Sequence, residues 1–305
     1  MSEIILHQYP QSPFAEKVRL MLGFKGLPWR AVDIPRWMPK PDLMPLTGGY
    51  RKTPVMQIGA DIFCDSACIA RELERRFPSI PLFPEGTHGI GRMLGAWADS
   101  VLFFDVVGTV FGTHGDSAPK ELKEDRYRFS DGLIDLARYK DDQAHIRAQL
   151  QAHVFWLEHS FDDGREYFVG RKPSYTDFCV YASMWMLMNR VPELGFFSEA
   201  PRLRGWLERM AAIGHGMHRP MDAKEALSVA HAAQPDTISV SNPDSPVGLQ
   251  PGTRVSVSAD DYGKDPVLGY LLGLNAQRIV IRRGDPVVGE VNVHFPRAGF
   301  RIVPA

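Results

Sequence analysis

Ser12-Pro13 sets a hydroxyl directly before a proline suited to the first position of a helix, and this pair carries the first chemical possibility in the chain. A helix N-terminus presents unpaired N–H groups and the positive end of the helix dipole. An anion beside Ser12 is therefore favoured, and the hydroxyl can donate to it. An isolated Ser-Pro reads equally well as a cap alone. Tyr9, three residues earlier, is a second hydroxyl able to donate. Asp65-Ser66 stands before another helical pattern, whose N–H groups can receive an anion or be served by an ordinary cap. Thr53-Pro54 opens a strand-like run, with Lys52 beside it, which reads as well as a solvated surface lysine.

Other reactive side chains are less organised. The three cysteines, Cys64, Cys68 and Cys179, form no C-x-x-C pair and are too few for a disulfide framework, so they are read as reduced, buried thiols. His215 and His218 make a loose H-x-x-H with no further cysteine or carboxylate ligand nearby, and no metal is expected.

A length of 305 residues predicts two or three folded units, and 44% hydrophobic with 23% charged residues is an ordinary composition for a soluble protein. The 35 basic and 36 acidic residues nearly cancel and form no Lys/Arg block, which argues against nucleic acid or an anionic membrane surface as partner. No apolar run approaches the ~18 uninterrupted residues of a membrane span, and MSEIILHQYP lacks the layout of a signal peptide. A cytoplasmic location is expected.

The elements that would position these groups follow from periodicity. Ile4-Ile5-Leu6 is a short strand; Phe14, Val18, Met21 and Leu22 recur at helical spacing until Lys25-Gly26 and Pro28; residues 29–33 read as a second strand. Residues 35–49 form a loop with room for one helical turn. Strands at 55–58 and 62–64 are spaced as a hairpin, and a helix with Ile69, Leu73 and Phe77 follows, ending at Pro78. From about Gly89 the chain is helical, with a Gly-rich break predicted at 112–115, helices around residues 146–161 and 203–213, and a capping box of Ser174 and Asp177 opening an apolar helix through Met188. An Ala-rich helix covers about 222–233. Pro235, Pro243, Pro246 and Pro251 mark a linker; the alternation of Val255 and Val257 and of Val291, Val293 and Phe295, with the apolar run Ile279-Val280-Ile281 inside residues 278–283 ending at the Gly284-Asp285-Pro286 turn, predicts a small β-rich unit.

Three of these sites, in this order and spacing, resemble the cytosolic glutathione S-transferase superfamily. Tyr9-Pro10-Gln11-Ser12-Pro13-Phe14-Ala15-Glu16-Lys17-Val18-Arg19 is similar to the S-P-F-x-x-x-V-R stretch of tau-like serine classes and to the C-P-F-A-E-R stretch of the omega class, with serine in place of the omega cysteine. Lys52-Thr53-Pro54-Val55 looks like the family's cis-proline turn, and Cys64-Asp65-Ser66 like its acid-serine pair before the second helix. The resemblance implies a thioredoxin-like α/β domain at residues 1–85, an all-α domain at 86–234, and, outside the family plan, a linker and small β-rich extension at 235–305.

It also implies roles. Ser12 would stabilise the thiolate of glutathione, with Tyr9 the competing hydroxyl. Thr53, ahead of a cis Pro54, would pair with the cysteinyl backbone of the peptide as an added strand does. Asp65 and Ser66 would hold the γ-glutamyl amine and carboxylate, and Lys52 the glycyl carboxylate. The implied activity is conjugation of glutathione, as co-substrate, to a hydrophobic electrophile. Phe103, Phe104, Phe111 or Tyr181 are candidates for the second pocket, and a homodimer is the implied assembly. A noncatalytic glutathione- or ligand-binding protein of the same fold is the alternative; thiol reduction of the omega type is disfavoured because serine stands at position 12.

Overall fold

The computed structural model describes residues 3–238 and 247–305. The chain begins β1 (Ile4–Gln8), α1 (Pro13–Phe24), β2 (Trp29–Asp33), α2 (Met44–Thr47), β3 (Val55–Ile58), β4 (Asp61–Cys64) and α3 (Ser66–Arg76). β1 and β2 run parallel while β3 and β4 are antiparallel additions, the arrangement of a thioredoxin-like sheet. α1 starts where Ser12 and Pro13 predict. It stops at the predicted Lys25-Gly26 boundary, where Gly26 takes a positive φ of 64°.

The helical part follows as α4 (His88–Trp97), α5 (Phe103–His114), α6 (Lys120–Phe129), α7 (Leu136–Asp141), α8 (Gln143–His159), α9 (Tyr175–Arg190) and α10 (Pro201–Ala211). One π-helical turn, residues Ala98–Leu102, joins α4 to α5 without interruption. The combined stretch is long and apolar enough to cross a membrane by length and composition, and half of it is buried inside the protein. The predicted break at 112–115 falls only at its end: α5 continues through Gly112. A Cβ on Gly112 would lie 1.8 Å from the Gln143 side-chain nitrogen and 2.5 Å from the Tyr139 carbonyl. Glycine is required there for close helix approach rather than for chain reversal.

Beyond α10 come β5 (His218–Pro220), α11 (Ala223–Ala232), β6 (Arg254–Ala259), β7 (Val267–Leu274), β8 (Arg278–Asp285), β9 (Gly289–Pro296) and β10 (Phe300–Pro304). Pro243 and Pro246 of the predicted linker lie outside the described residues. The C-terminal strands make no sheet of their own. β9 pairs parallel with β4, so one ten-stranded sheet runs β10-β6-β7-β8-β9-β4-β3-β1-β2-β5. Its two faces build two cores. One joins α1 and α3 to the helical part around Phe178 and Trp206; the other packs α2 and α11 against Val257, Ile281, Val293 and Phe295.

At the β4–β9 seam the buried Asp61 carboxylate accepts from His294 Nε2 (2.7 Å), Asn292 Nδ2 (3.2 Å) and the Asp236 amide (2.7 Å). Burial works to raise the pKa of Asp61, but these bonds, His294 foremost, hold it below the ordinary value. His218, the second histidine of the H-x-x-H, stacks on Trp29 at 4.7 Å, while His215 bonds Glu16 at 3.0 Å.

Asp177 is more than one half of a cap. Fully buried, its carboxylate accepts from the Ser174 amide (2.9 Å) and hydroxyl (2.7 Å), the Phe168 amide (3.0 Å) and Trp206 Nε1 (2.9 Å). Asp177→Ala should therefore cost about 3 kcal/mol or more, well beyond the ~1 kcal/mol of a cap, because four donors lose their acceptor in a buried site. Urea denaturation of the variant measures this, with Ser174→Ala as the cap-only reference.

Candidate functional site

A cleft of about 600 Å³ lies between the sheet's helical face and the α4–α5 helix, and Tyr9, Ser12, Lys52, Thr53, Pro54, Asp65 and Ser66 all line it. Seven residues chosen from three separate stretches of sequence thus converge on one space. The turn after β1 brings in the first two, with the Ser12 amide donating to the Tyr9 carbonyl at 3.1 Å. Ser12 caps α1: its Oγ accepts the Ala15 amide at 3.1 Å, and among the described residues nothing accepts the hydroxyl proton. That proton is free for an anion in the cleft, which would also face the positive end of α1.

The Thr53–Pro54 peptide is cis. Among the described residues, neither the amide nor the carbonyl of Thr53 has a backbone partner. An extended peptide laid along this rim can take both. Asp65 caps α3 through the Ala67 amide (2.8 Å) with φ at +77°, a conformation that costs a non-glycine residue about 1–3 kcal/mol and is typically retained where a ligand is clamped. The Ser66 hydroxyl has no partner among the described residues. α3 therefore points a second N-terminus at the cleft.

Lys52 is committed. Its ammonium lies 2.6 Å from Asp261 and 4.0 Å above the Tyr262 ring, so the C-terminal strands contribute to this site. Asp261 and Tyr262 belong to the β6–β7 connection. Tyr262 is wedged against Phe104 and Phe129, and Gly263 donates its amide to the Phe129 carbonyl at 2.9 Å. A Cβ at Gly263 would come within 2.2 Å of the Phe129 ring, and its φ is +61°, so glycine alone lets this connection press against α6.

The structure adds residues for which the sequence offered no signal. Lys40, from the irregular stretch before α2, donates to the Arg51 carbonyl (3.0 Å) and Thr53 Oγ1 (3.1 Å). Burial, followed by the nearby charges of Arg126 and Arg51, lowers its pKa to about 7. Asp99, on the π turn, faces the cleft from one side and the fully buried Lys17 at 2.6 Å on the other. Burial opposes the charge of Lys17, and Asp99 more than offsets it, holding its pKa above the ordinary value. π turns inside α-helices commonly mark functional positions, and here the turn aims Asp99, Ser100 and Phe103 inward.

Phe103 and Phe111 line the cleft as anticipated, together with Phe14, Val107 and Met186. Phe104 backs Tyr262, and Tyr181 is buried against Trp206 in the core. All three cysteines are buried; burial pushes each thiol well up, so none is poised as a nucleophile.

The family model for the N-terminal domain of glutathione S-transferases matches residues 6–81, and that for the C-terminal domain matches residues 135–213. Among solved structures, a GST-like protein from Pseudomonas syringae is 38% identical with a TM-score of 0.84, covering 100% of both chains and hence the C-terminal strands too. A glutathione S-transferase from Methylobacterium radiotolerans in complex with glutathione sulfonate is 22% identical, covering 72% of this chain and 98% of its own at a TM-score of 0.52. One from Ceriporiopsis subvermispora in complex with glutathione is 17% identical, covering 69% and 97% at 0.56. No curated protein matches the chain in sequence.

Proposed function

From the premise that this chain belongs to the glutathione S-transferase family, we propose that it binds glutathione in the cleft and transfers its sulfur to an electrophilic carbon of a hydrophobic compound. The single observation that carries this reading is the convergence of a capped helix N-terminus, an unpaired extended backbone and a second helix N-terminus on one space. These match, in order along one tripeptide, a thiolate, a peptide backbone and an amino-acid head. On this reading residues 1–85 are the glutathione-binding unit, 86–234 the helical unit, and 235–305 a linker and β extension that shares the first unit's sheet.

A thiol with an ordinary pKa near 8.5 is mostly protonated at neutral pH, so the site must favour the thiolate. Ser12 donates its uncommitted proton to the sulfur, and the dipole of α1 favours the charge. Thr53 pairs with the cysteinyl backbone; Ser66 and the α3 N-terminus receive the γ-glutamyl carboxylate, and Asp65 its amine. The glycyl carboxylate then lies toward Lys40, beside Thr53, and Lys52, where it competes with Asp261.

Ser12→Ala should lower kcat/KM for conjugation of 1-chloro-2,4-dinitrobenzene about a hundredfold, the usual cost of one donor to a reacting anion, while Tyr9→Phe changes it by less than about threefold. Activity that survives Ser12→Ala and falls with Tyr9→Phe would transfer the role to Tyr9. Calorimetric binding of glutathione with no turnover of any electrophile would make the protein a binder instead.

Lys40 supplies an independent check. With its pKa lowered to about 7, it is largely neutral at pH 8, and an adjoining carboxylate restores its proton. Binding of S-methylglutathione, which has no thiol proton to lose, should thus take up close to one proton at pH 8 and much less at pH 6. Calorimetry in buffers of different ionisation enthalpy measures it, and Lys40→Met should abolish the uptake.

The assembly proposed is a homodimer. Ile90 and Met93 of α4 and Phe155 and Trp156 of α8 are exposed, and Trp97 packs on His153, which packs on Trp156, so the two helices present adjoining apolar side chains. Met93→Glu with Trp156→Glu should halve the mass found by sedimentation equilibrium.

A further inference from the structure

The cleft holds more positive charge than its own carboxylates neutralise. Lys52 is paired with Asp261, and Arg51 and Arg126 share Asp125, whose other oxygen lies 2.8 Å from Arg126. Arg36, Lys40 and Arg190 also line the cleft, and among the described residues none has a carboxylate within ion-pair distance. Lys40 lies against Thr53 and is accounted for by the glycyl end of glutathione. Two guanidinium groups are left.

Their placement is specific. Arg36 is held by its main chain, whose carbonyl accepts Arg126 Nη2 at 2.8 Å, and its Nε is buried without a hydrogen-bond partner. Arg190 is the last residue of α9, its side chain exposed and unpaired at the mouth of the cleft. Burial lowers the proton affinity of Arg36, and Arg190 and Arg126 lower it further by repulsion, which a bound anion would relieve. Apolar side chains line the same cleft: Phe14, Phe103, Val107, Phe111 and Met186. An apolar wall ending in unpaired planar cations fits an amphiphile with an apolar body and a carboxylate, which guanidinium groups bind in two-point fashion.

We propose that the second substrate of this enzyme is an electrophile carrying a carboxylate, with Arg36 and Arg190 binding that carboxylate while the apolar wall holds the body and turns the electrophilic carbon to the sulfur of glutathione. This rests on the conjugation reading above and adds the substrate class to it. For an aryl halide the step balances simply: the thiolate sulfur bonds to the carbon bearing chlorine, chloride leaves with the bonding pair, and the thiol proton passes to solvent. Arg36 and Arg190 determine specificity and take no part in bond making.

The test compares 4-chloro-3,5-dinitrobenzoate with its methyl ester, two electrophiles with the same reacting carbon, each corrected for its uncatalysed rate with glutathione. The wild-type kcat/KM should favour the acid by about tenfold or more, as expected for charge-assisted bonds to a carboxylate. Arg190→Gln, at an exposed position where folding is not at stake, should bring the acid-to-ester ratio close to one, with the KM for glutathione within about twofold; Arg36→Gln should act in the same direction. No preference for the acid in the wild type would overturn the proposal. So would an Arg190→Gln variant whose glutathione KM rises as much as its acid preference falls, since the arginine would then serve glutathione. A binding arm stands apart from turnover: calorimetry with the preformed glutathione conjugates of acid and ester. Tighter binding of the acid conjugate supports the carboxylate site even if neither compound is turned over, an outcome that would sink the conjugation reading alone. Equal binding of the two conjugates would sink the carboxylate site alone.

Discussion

The parallel pairing of β4 with β9 is the joint on which the rest of this molecule depends. A thioredoxin-like sheet ending at β4 would leave a row of unpaired backbone groups, and the C-terminal strands complete that row in the register Asp61–Asn292, Ile62–Val293 and Phe63–His294. The register is fixed by polar atoms that cannot slide. Asp61 is buried and finds its donors only when Asn292, His294 and the Asp236 amide are in place. A shift by one residue would leave a buried carboxylate unpaired, a loss of several kcal/mol, and would turn Val291, Val293 and Phe295 out of the core. With β9 fixed, the antiparallel strands β8, β7 and β6 follow, and the β6–β7 connection arrives at the cleft with Asp261 and Tyr262. The composition of the site is thus a consequence of sheet register on its far side.

Two helix N-termini then divide the work within the cleft. α1 and α3 lie on the same face of the sheet, and each starts at the end of a strand, so both present their N–H groups to the same space. One is capped by a serine with its own proton to spare, the other by an aspartate in a strained conformation. The first suits a developing anion, and the second suits an ammonium and a carboxylate together.

Much of this was legible because it is local. Ser12-Pro13 and the Lys25-Gly26 boundary delimit α1 within a residue, residues 29–33 are β2 as read, and the hairpin of β3 and β4 follows from its turn. The seven candidate residues that line the cleft each belong to a short stretch whose types and order carry a resemblance, which a local reading can register. What escaped is long-range. Lys40 has no motif; its depressed proton affinity comes from burial first and then from the charges of Arg126, 86 positions away, and Arg51. β5, with its proline and only three residues, has no strand pattern and exists because β2 offers it an open edge. Gly112 looked like a break because its close neighbours, Gln143 and Tyr139, are unknown to any local window. Above all, Asp261 and Tyr262 could enter the site only through the sheet register, and periodicity is silent on which strand finds which edge.

The orientation of the helical part on the sheet has its own determinant, in charges that α1 buries. Glu16, Lys17 and Arg19 are almost fully buried on a helix that would ordinarily place such residues in water. Each is matched: Lys17 by Asp99 of the π turn, Glu16 by Arg19 and by His215 beyond α10, and Arg19 also by the side chain of Gln8 and the carbonyl of Pro10. Apolar packing tolerates small rotations of one layer over another, whereas a buried ammonium 2.6 Å from its carboxylate does not. Lys17 therefore locks the α4–α5 helix to α1 at the π turn, and Asp99 of that pair lines the same cleft as Ser12. The spacing between the N-terminus of α1 on the sheet and the apolar side chains that α5 brings to the cleft, which the proposed transfer of sulfur would require to be short and constant, is held by that pair.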